Sequence, residues 1–274
     1  MTTFQKVIKY LALGFAAFLI FLIVSGVFGI LFSFSSVLGL QKEDNMVVEK
    51  MKEKNFKDTK VNSLDIDIAF TNLIVKKGTS LQIKTNHKNI CFEQNNQTLQ
   101  IKEKNHQWFS KDNKGSLVVY VPDDLSFENI KINAGAGKIQ IENINTKKLS
   151  LMLGAGETTI DKLMVTDKCK IESGAGKVSI LSGNINQFDL EVGIGNFEAT
   201  ALVTGNSKIN AGIGNLKLTL RGSREIYQIQ AEKGIGTIKI GDKNVEDDYS
   251  YGNGENLIKL NEGIGNIHVN FEEK

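Results

Sequence analysis

The chain has 274 residues, 41% of them hydrophobic, which is enough apolar material for a core and excludes disorder as the general state. Its formal net charge of +2 comes from 31 Lys and two Arg, Arg221 and Arg224, against 31 acids scattered along the chain, so no basic stripe points to nucleic acid. One Pro beside 26 Gly excludes collagen-like and linker compositions and favours backbone that turns tightly while staying hydrogen-bonded.

Residues 1–9 form a short tail carrying Lys6 and Lys9. From Leu11 to Leu40 no residue is charged, a run longer than the roughly 20 residues a helix needs to cross a bilayer. A transmembrane helix is therefore expected over 10–33. The run exceeds the apolar core of a cleaved signal peptide and lacks an A-x-A-like site, which makes it an uncleaved anchor. Lys6 and Lys9 ahead of the span favour a cytoplasmic N-terminus and an exported body. Lys42, Lys50, Lys52, Lys54, Lys57 and Lys60 argue the reverse, but only Lys42 lies close to the span, and long domains translocate largely regardless of charge. Residues 34–60 read as a juxtamembrane stalk, a frayed helix at most. Between 41 and 60 six Lys face five acids, too balanced to grip anionic lipid.

Residues 61–134 show in-out alternation with loose spacing, in "LDIDIAFTNLIVKKG", "LQIKEK" and "LVVYV". They read as irregular opening coils of the body that follows. Pro122 falls just after a strand, where a missing amide does least harm. "NHQWFSKDNKG", 105–115, reads as a loop with an aromatic anchor.

The body at 135–274 is repetitive. "GAGKIQI" at 135, "GAGETTI" at 154, "GAGKVSI" at 174, "GIGNFEA" at 193, "GIGNLKL" at 212, "GIGTIKI" at 234 and "GIGNIHV" at 263 start 19, 20, 19, 19, 22 and 29 residues apart. Counted from the first Gly of each copy, position 7 is always apolar, position 5 is apolar in six copies, and positions 4 and 6 are always polar. The residue three before the first Gly is apolar in every copy. Period two without a helical period means two short strands per unit, and a unit of about 19–22 residues is one coil of a parallel β-helix, or solenoid. The fold class is thus all-β, a parallel solenoid preceded by one membrane helix. Equivalent residues are expected to stack between coils about 4.8 Å apart.

The glycines acquire a structural role in this scheme. Gly135 and Gly137, Gly154 and Gly156, Gly174 and Gly176, Gly193 and Gly195, Gly212 and Gly214, Gly234 and Gly236, and Gly263 and Gly265 would each flank a corner. There they permit positive φ and leave no Cβ to collide with the next coil. Position 2, Ala in three copies and Ile in four, is expected to face inward. The charged tail "NFEEK" would cap the C-terminal end, with the stalk shielding the other, against pairing with further chains.

No cofactor is expected. None of the Gly-x-Gly turns opens a helix, and "GAGK" lacks the remaining Walker residues, so nucleotide binding is set aside. Calcium-binding nonapeptide runs are missing. His87, His106 and His268 are far apart and read as surface or incidental residues; no metal site and no catalytic residue is assigned. Cys91 and Cys169 have no zinc or redox spacing, and Cys169 shares the inward phase of Ile171, which marks it as a buried free thiol. No acidic ladder of the kind used by β-helical glycosidases forms, since only Glu157 at position 4 and Glu198 at position 6 are acidic. The insertion at 241–257 lengthens the sixth unit and brings Glu246, Asp247, Asp248, Tyr249 and Tyr251 together as candidates for a binding loop.

The order "DIDIAFTNLIVKKG", "LQIK", "LQIKEK", "VVYVP", "IKINAGAGKIQIENI" and then Gly-x-Gly-x-hydrophobic coils resembles the bacterial β-strand-repeat family labelled "putative adhesin", a domain of unknown function. The resemblance covers about residues 60 to 274. It implies a single-pass envelope protein, adhesive or linked to envelope stress, with no catalytic residues to carry over. The expected function is a membrane-anchored, non-enzymatic surface module with a protein or cell-wall glycan partner and a β-domain outside the cell. A membrane-tied cytoplasmic polymer resembling bactofilins and, behind it, a carbohydrate-active β-helix enzyme are the alternatives. The long insertion and the lysine-rich stalk depart from the family pattern.

Overall fold

A computed structural model describes residues 52–56, 60–104, 115–245 and 249–273. The expected membrane helix at 10–33 lies outside them; among the described residues no helix is long and apolar enough to cross a membrane.

Alternation of apolar and polar side chains becomes strand almost without interruption. β8 (Phe127–Asn186) runs through three Gly-x-Gly corners, while β9 (Phe188–Thr204), β10 (Ser207–Arg221), β11 (Tyr227–Ile240) and β14 (Asn256–Glu272) hold one each. Their register is parallel and keeps the repeat: Ile171 stands beside Leu190 and Leu190 beside Ile209, and Gly176 beside Gly195 and Gly195 beside Gly214. The chain is therefore stacked in coils. Columns of Val178, Phe197 and Leu216, and of Ile171, Leu190 and Ile209, are fully enclosed and form one continuous core. Cys169 lies in it as a free thiol, its pKa pushed far up by burial and then by Asp189.

The two glycines of a corner do different things. Only the second has positive φ, between +131° and +150° across the seven copies, a region that side chains rarely adopt. The first is held by proximity: a Cβ on Gly212 would stand 2.4 Å from the carbonyl oxygen of Gly193. Because the second Gly reverses the alternation, position 2 is not inward as expected. Ile194, Ile213, Ile264 and Ile235 are exposed by 40%, 47%, 48% and 71%.

Coil order departs from chain order at both ends. At the C-terminal end β14 inserts between β10 and β11, so the seventh copy lies inside the sixth. The insertion folds back as β12 (Lys243–Val245) and β13 (Tyr249–Tyr251), both antiparallel to β11, and covers the outermost coil. The tail that was expected to cap this end is instead tucked in, with Glu272 beside Arg221 at 3.2 Å.

The N-terminal end repeats the plan in reverse. β2 (Ser63–Ile68) and β3 (Asn72–Gly78) form a coil packed on β8, and β6 (Thr98–Glu103) and β7 (Ser116–Pro122) form a second coil outside it. β4 (Gln82–Thr85) and β5 (Ile90–Asn95), which lie between them in sequence, cap the outer coil as antiparallel strands on β7 and β6. β1 (Lys52–Asn55) adds to β4, so the end of the supposed stalk is a fully exposed, charged edge strand and not frayed helix. Charges on an edge strand discourage further pairing.

Candidate functional site

An open trough of about 970 Å³ runs along the stack, across the coil of β2 and the five coils from Gly135 to Gly212. Its floor is the column of first glycines, which begins at Ala69 in the opening coil. One wall is the column two residues earlier: Asp67, Asn133, Met152, Glu172, Glu191 and Asn210. The intervening column, Ile68 to Ala211, supplies small and aliphatic groups beneath. The sequence dictates this shape because glycines leave one line of the stack without side chains while the outward phase just before them carries acids and amides.

Among the described residues no Lys, Arg, His or aromatic side chain lines the trough. An anion would find no counter-charge, and a sugar ring no stacking face. Glu172 is engaged by Lys170 from the same strand, and this hydrogen bond raises the Lys170 pKa. Each coil contributes one residue per column, so any ligand touching the whole trough must be extended. Among the described residues no group of His, Cys, Asp and Glu is placed to hold a metal ion.

Two buried carboxylates escape a reading by motif. Glu103 Oε2 accepts hydrogen bonds from the amides of Ala69, Phe70 and Thr71 at 2.8, 3.2 and 3.4 Å and from the Thr71 hydroxyl at 3.0 Å. Its other oxygen lies 3.8 Å from His87 Nε2. His87 is enclosed and not at the surface as expected; its Nδ1 accepts from the Asn89 amide at 3.3 Å, which leaves the ring proton on Nε2 facing the carboxylate. Glu262 is also buried, and among the described residues neither of its oxygens has a hydrogen-bond partner. Burial pushes its pKa up to about 7. Both were visible in the sequence as faults in the alternation, since "LQIKE" and "IKLNE" each put a charge at the inward phase.

Two of the binding-loop candidates, Tyr249 and Tyr251, are among the described residues. Glu246, Asp247 and Asp248 lie outside the described residues. Tyr249 and Tyr251 stand on the capping strand, opposite Ala231 and Ile229, and the Tyr251 ring packs on Phe271 with centroids 5.3 Å apart. Their work is to close the end of the core.

Solved structures similar to the chain include a "putative cell adhesion protein" from Clostridium sporogenes ATCC 15579, 16% identical with a TM-score of 0.37, over 81% of this chain and 99% of that one. A "putative adhesin" from Bacteroides fragilis NCTC 9343 is 14% identical with a TM-score of 0.38, over 81% and 97%. Another from Parabacteroides distasonis ATCC 8503 is 16% identical with a TM-score of 0.37, over 81% and 98%. No curated protein matches the chain. The family model described as Toastrack DUF4097 matches residues 61–262, most of the chain, and the chain belongs to that family.

Proposed function

We propose that the chain is a membrane-tied, surface-displayed and non-enzymatic module that holds an extended protein partner along the trough. The observation that carries this reading is the one-residue-per-coil layout: acids and amides stand on five of six coils, interrupted only by Met152, where catalysis would need groups converging on one point. The uncharged run from Leu11 to Leu40 supplies the tie to the membrane. Antiparallel strands over both outer coils weigh against an end-to-end polymer in the cytoplasm.

Two measurements test the proposal. Protease added to intact cells should cut the β-domain; full protection would place it inside. Glu191→Lys, a reversal on the trough wall, should lower retention of the full chain on the surface proteins of its own cells by at least about tenfold. Equal retention, or a reproducible glycan-cleaving activity of the chain, would overturn it.

A further inference from the structure

Four of the five large apolar side chains exposed among the described residues, Ile194, Ile213, Ile264 and Ile235, belong to one column. The register places Ile213 beside Ile194 and Ile264, and Ile264 beside Ile235, in an unbroken ladder. Glycine columns flank it on both sides. Beyond the second glycine stands a ladder of Asn196, Asn215, Asn266 and Thr237, each linked to the next by side-chain hydrogen bonds of 3.0, 3.0 and 2.6 Å. Coil stacking does not require isoleucine here, because Ala136, Ala155 and Ala175 fill the same column earlier in the stack. Exposed aliphatic ladders on a soluble surface mark a contact.

Across this strip the pattern is Gly-Ile-Gly-Asn. Reversed by a two-fold axis parallel to the stack, it reads Asn-Gly-Ile-Gly. Every isoleucine of one copy then lies over a glycine column of the other, and every asparagine over the remaining glycine column. The strip is complementary to itself and carries no charge that calls for a different partner. Both ends of the stack are capped, which leaves the side as the route to self-association. We infer that the Ile194–Ile235 ladder is the contact surface of a lateral, parallel homodimer.

Four coils at about 4.8 Å and four positions at about 3.3 Å make a strip of roughly 250 Å². That is well below the ~800 Å² per partner of a stable interface, so the dimer belongs to the weak, concentration-dependent class.

The test uses the full chain in detergent over a range of concentrations, with Cys91→Ser removing the half-buried native thiol and Cys169 protected by burial. In that background Ile213→Cys should be joined to its mate by a short bis-maleimide, increasingly so at higher concentration. Lys217→Cys, on the same strand but about 23 Å from its mate across the proposed axis, should not. Sedimentation equilibrium should show the dimer lost in the Ile213→Asn/Ile264→Asn variant with its thermal midpoint unchanged. Equal cross-linking of Ile213→Cys and Lys217→Cys, or a wild type that stays monomeric at every concentration, would sink the proposal. So would an unchanged mass in the double variant accompanied by lost sedimentation with lipid vesicles, since the ladder would then be covered by membrane.

Discussion

Glu103 and Glu262 occupy the same column of the stack, just before the corner, at opposite ends of the molecule. Glu103 follows Lys102, which pairs with Asp67, so it stands level with Ile68; Glu262 stands between Ala211 and Lys233. One carboxylate is held by three amides and a hydroxyl, and the other by no hydrogen bond. The corners beside them explain the difference. Next to Glu103 the corner is Ala69-Phe70-Thr71, and the outer coil leaves strand after Glu103, so no parallel neighbour takes those amides and the carboxylate takes them instead. Glu262 sits between two regular corners, Gly212 to Gly214 and Gly234 to Gly236, whose backbone is already paired coil to coil. A carboxylate at this position is a closing piece where stacking stops and an unsatisfied charge where it continues.

Spoiling a regular corner does the most damage. A Cβ on Gly214 would fall 1.6 Å from the Gly195 carbonyl oxygen, on a residue with φ of +149°. Gly214→Ala should cost more than about 4 kcal/mol and abolish a cooperative thermal transition, read by circular dichroism. Ala69→Gly, at the corner served by Glu103, should cost under about 1 kcal/mol.

Next comes the N-terminal carboxylate itself. Glu103→Ala leaves three amides of a partly buried corner without acceptors and should destabilise by about 3 kcal/mol. Hydrogen exchange should quicken at Ala69, Phe70 and Thr71 while the amides around Leu216 and Leu218 keep their protection. Uniform acceleration throughout the stack would show that the end does not open on its own.

Glu262 gives an effect of opposite sign. Its folded pKa of about 7 lies above the ordinary 4.5, so its protonated form is favoured in the fold. The associated stability is complete below about pH 4.5 and is lost as pH rises through 7. Glu262→Gln keeps the shape without the charge. Its thermal midpoint should match the wild type near pH 4.5 and exceed it by a few degrees at pH 8. A constant difference across that range would mean that Lys233, its neighbour on β11, already neutralises the carboxylate.

What the sequence made legible follows from the same physics. Period two and the spacing of the Gly pairs announced the strands, their inward columns and the parallel coils, because burial acts on each residue separately. Coil order was hidden. Aliphatic columns such as Leu190, Ile209 and Leu260 fit one another in any sequence, so the place of β14 is decided by where its connection lets it go. Position 2 was misread because aliphatic character alone cannot reveal that the next glycine turns the chain over. Glu103 showed as a fault in the alternation of β6, but His87 lies in the turn between β4 and β5, and their meeting is a tertiary event.

The smallest effect concerns the two caps. Phe92 on β5 and Tyr251 on β13 are half-buried rings packed against opposite ends of the core. Lys54 lies 5.8 Å from the Phe92 ring, and Phe271 stacks on Tyr251. Each ring covers an end and supports no coil beyond it, so Phe92→Ala and Tyr251→Ala should cost about 1–2 kcal/mol apiece. Nine coils at about 4.8 Å put the ends roughly 38 Å apart, with no shared neighbour. If the stack behaves as a linear array joined only by adjacent coils, the double variant should lose the sum of the two within about 0.5 kcal/mol in urea unfolding. A larger or smaller loss would mean that the ends communicate through the column of aliphatic residues, and the twin caps would then be parts of one cooperative unit.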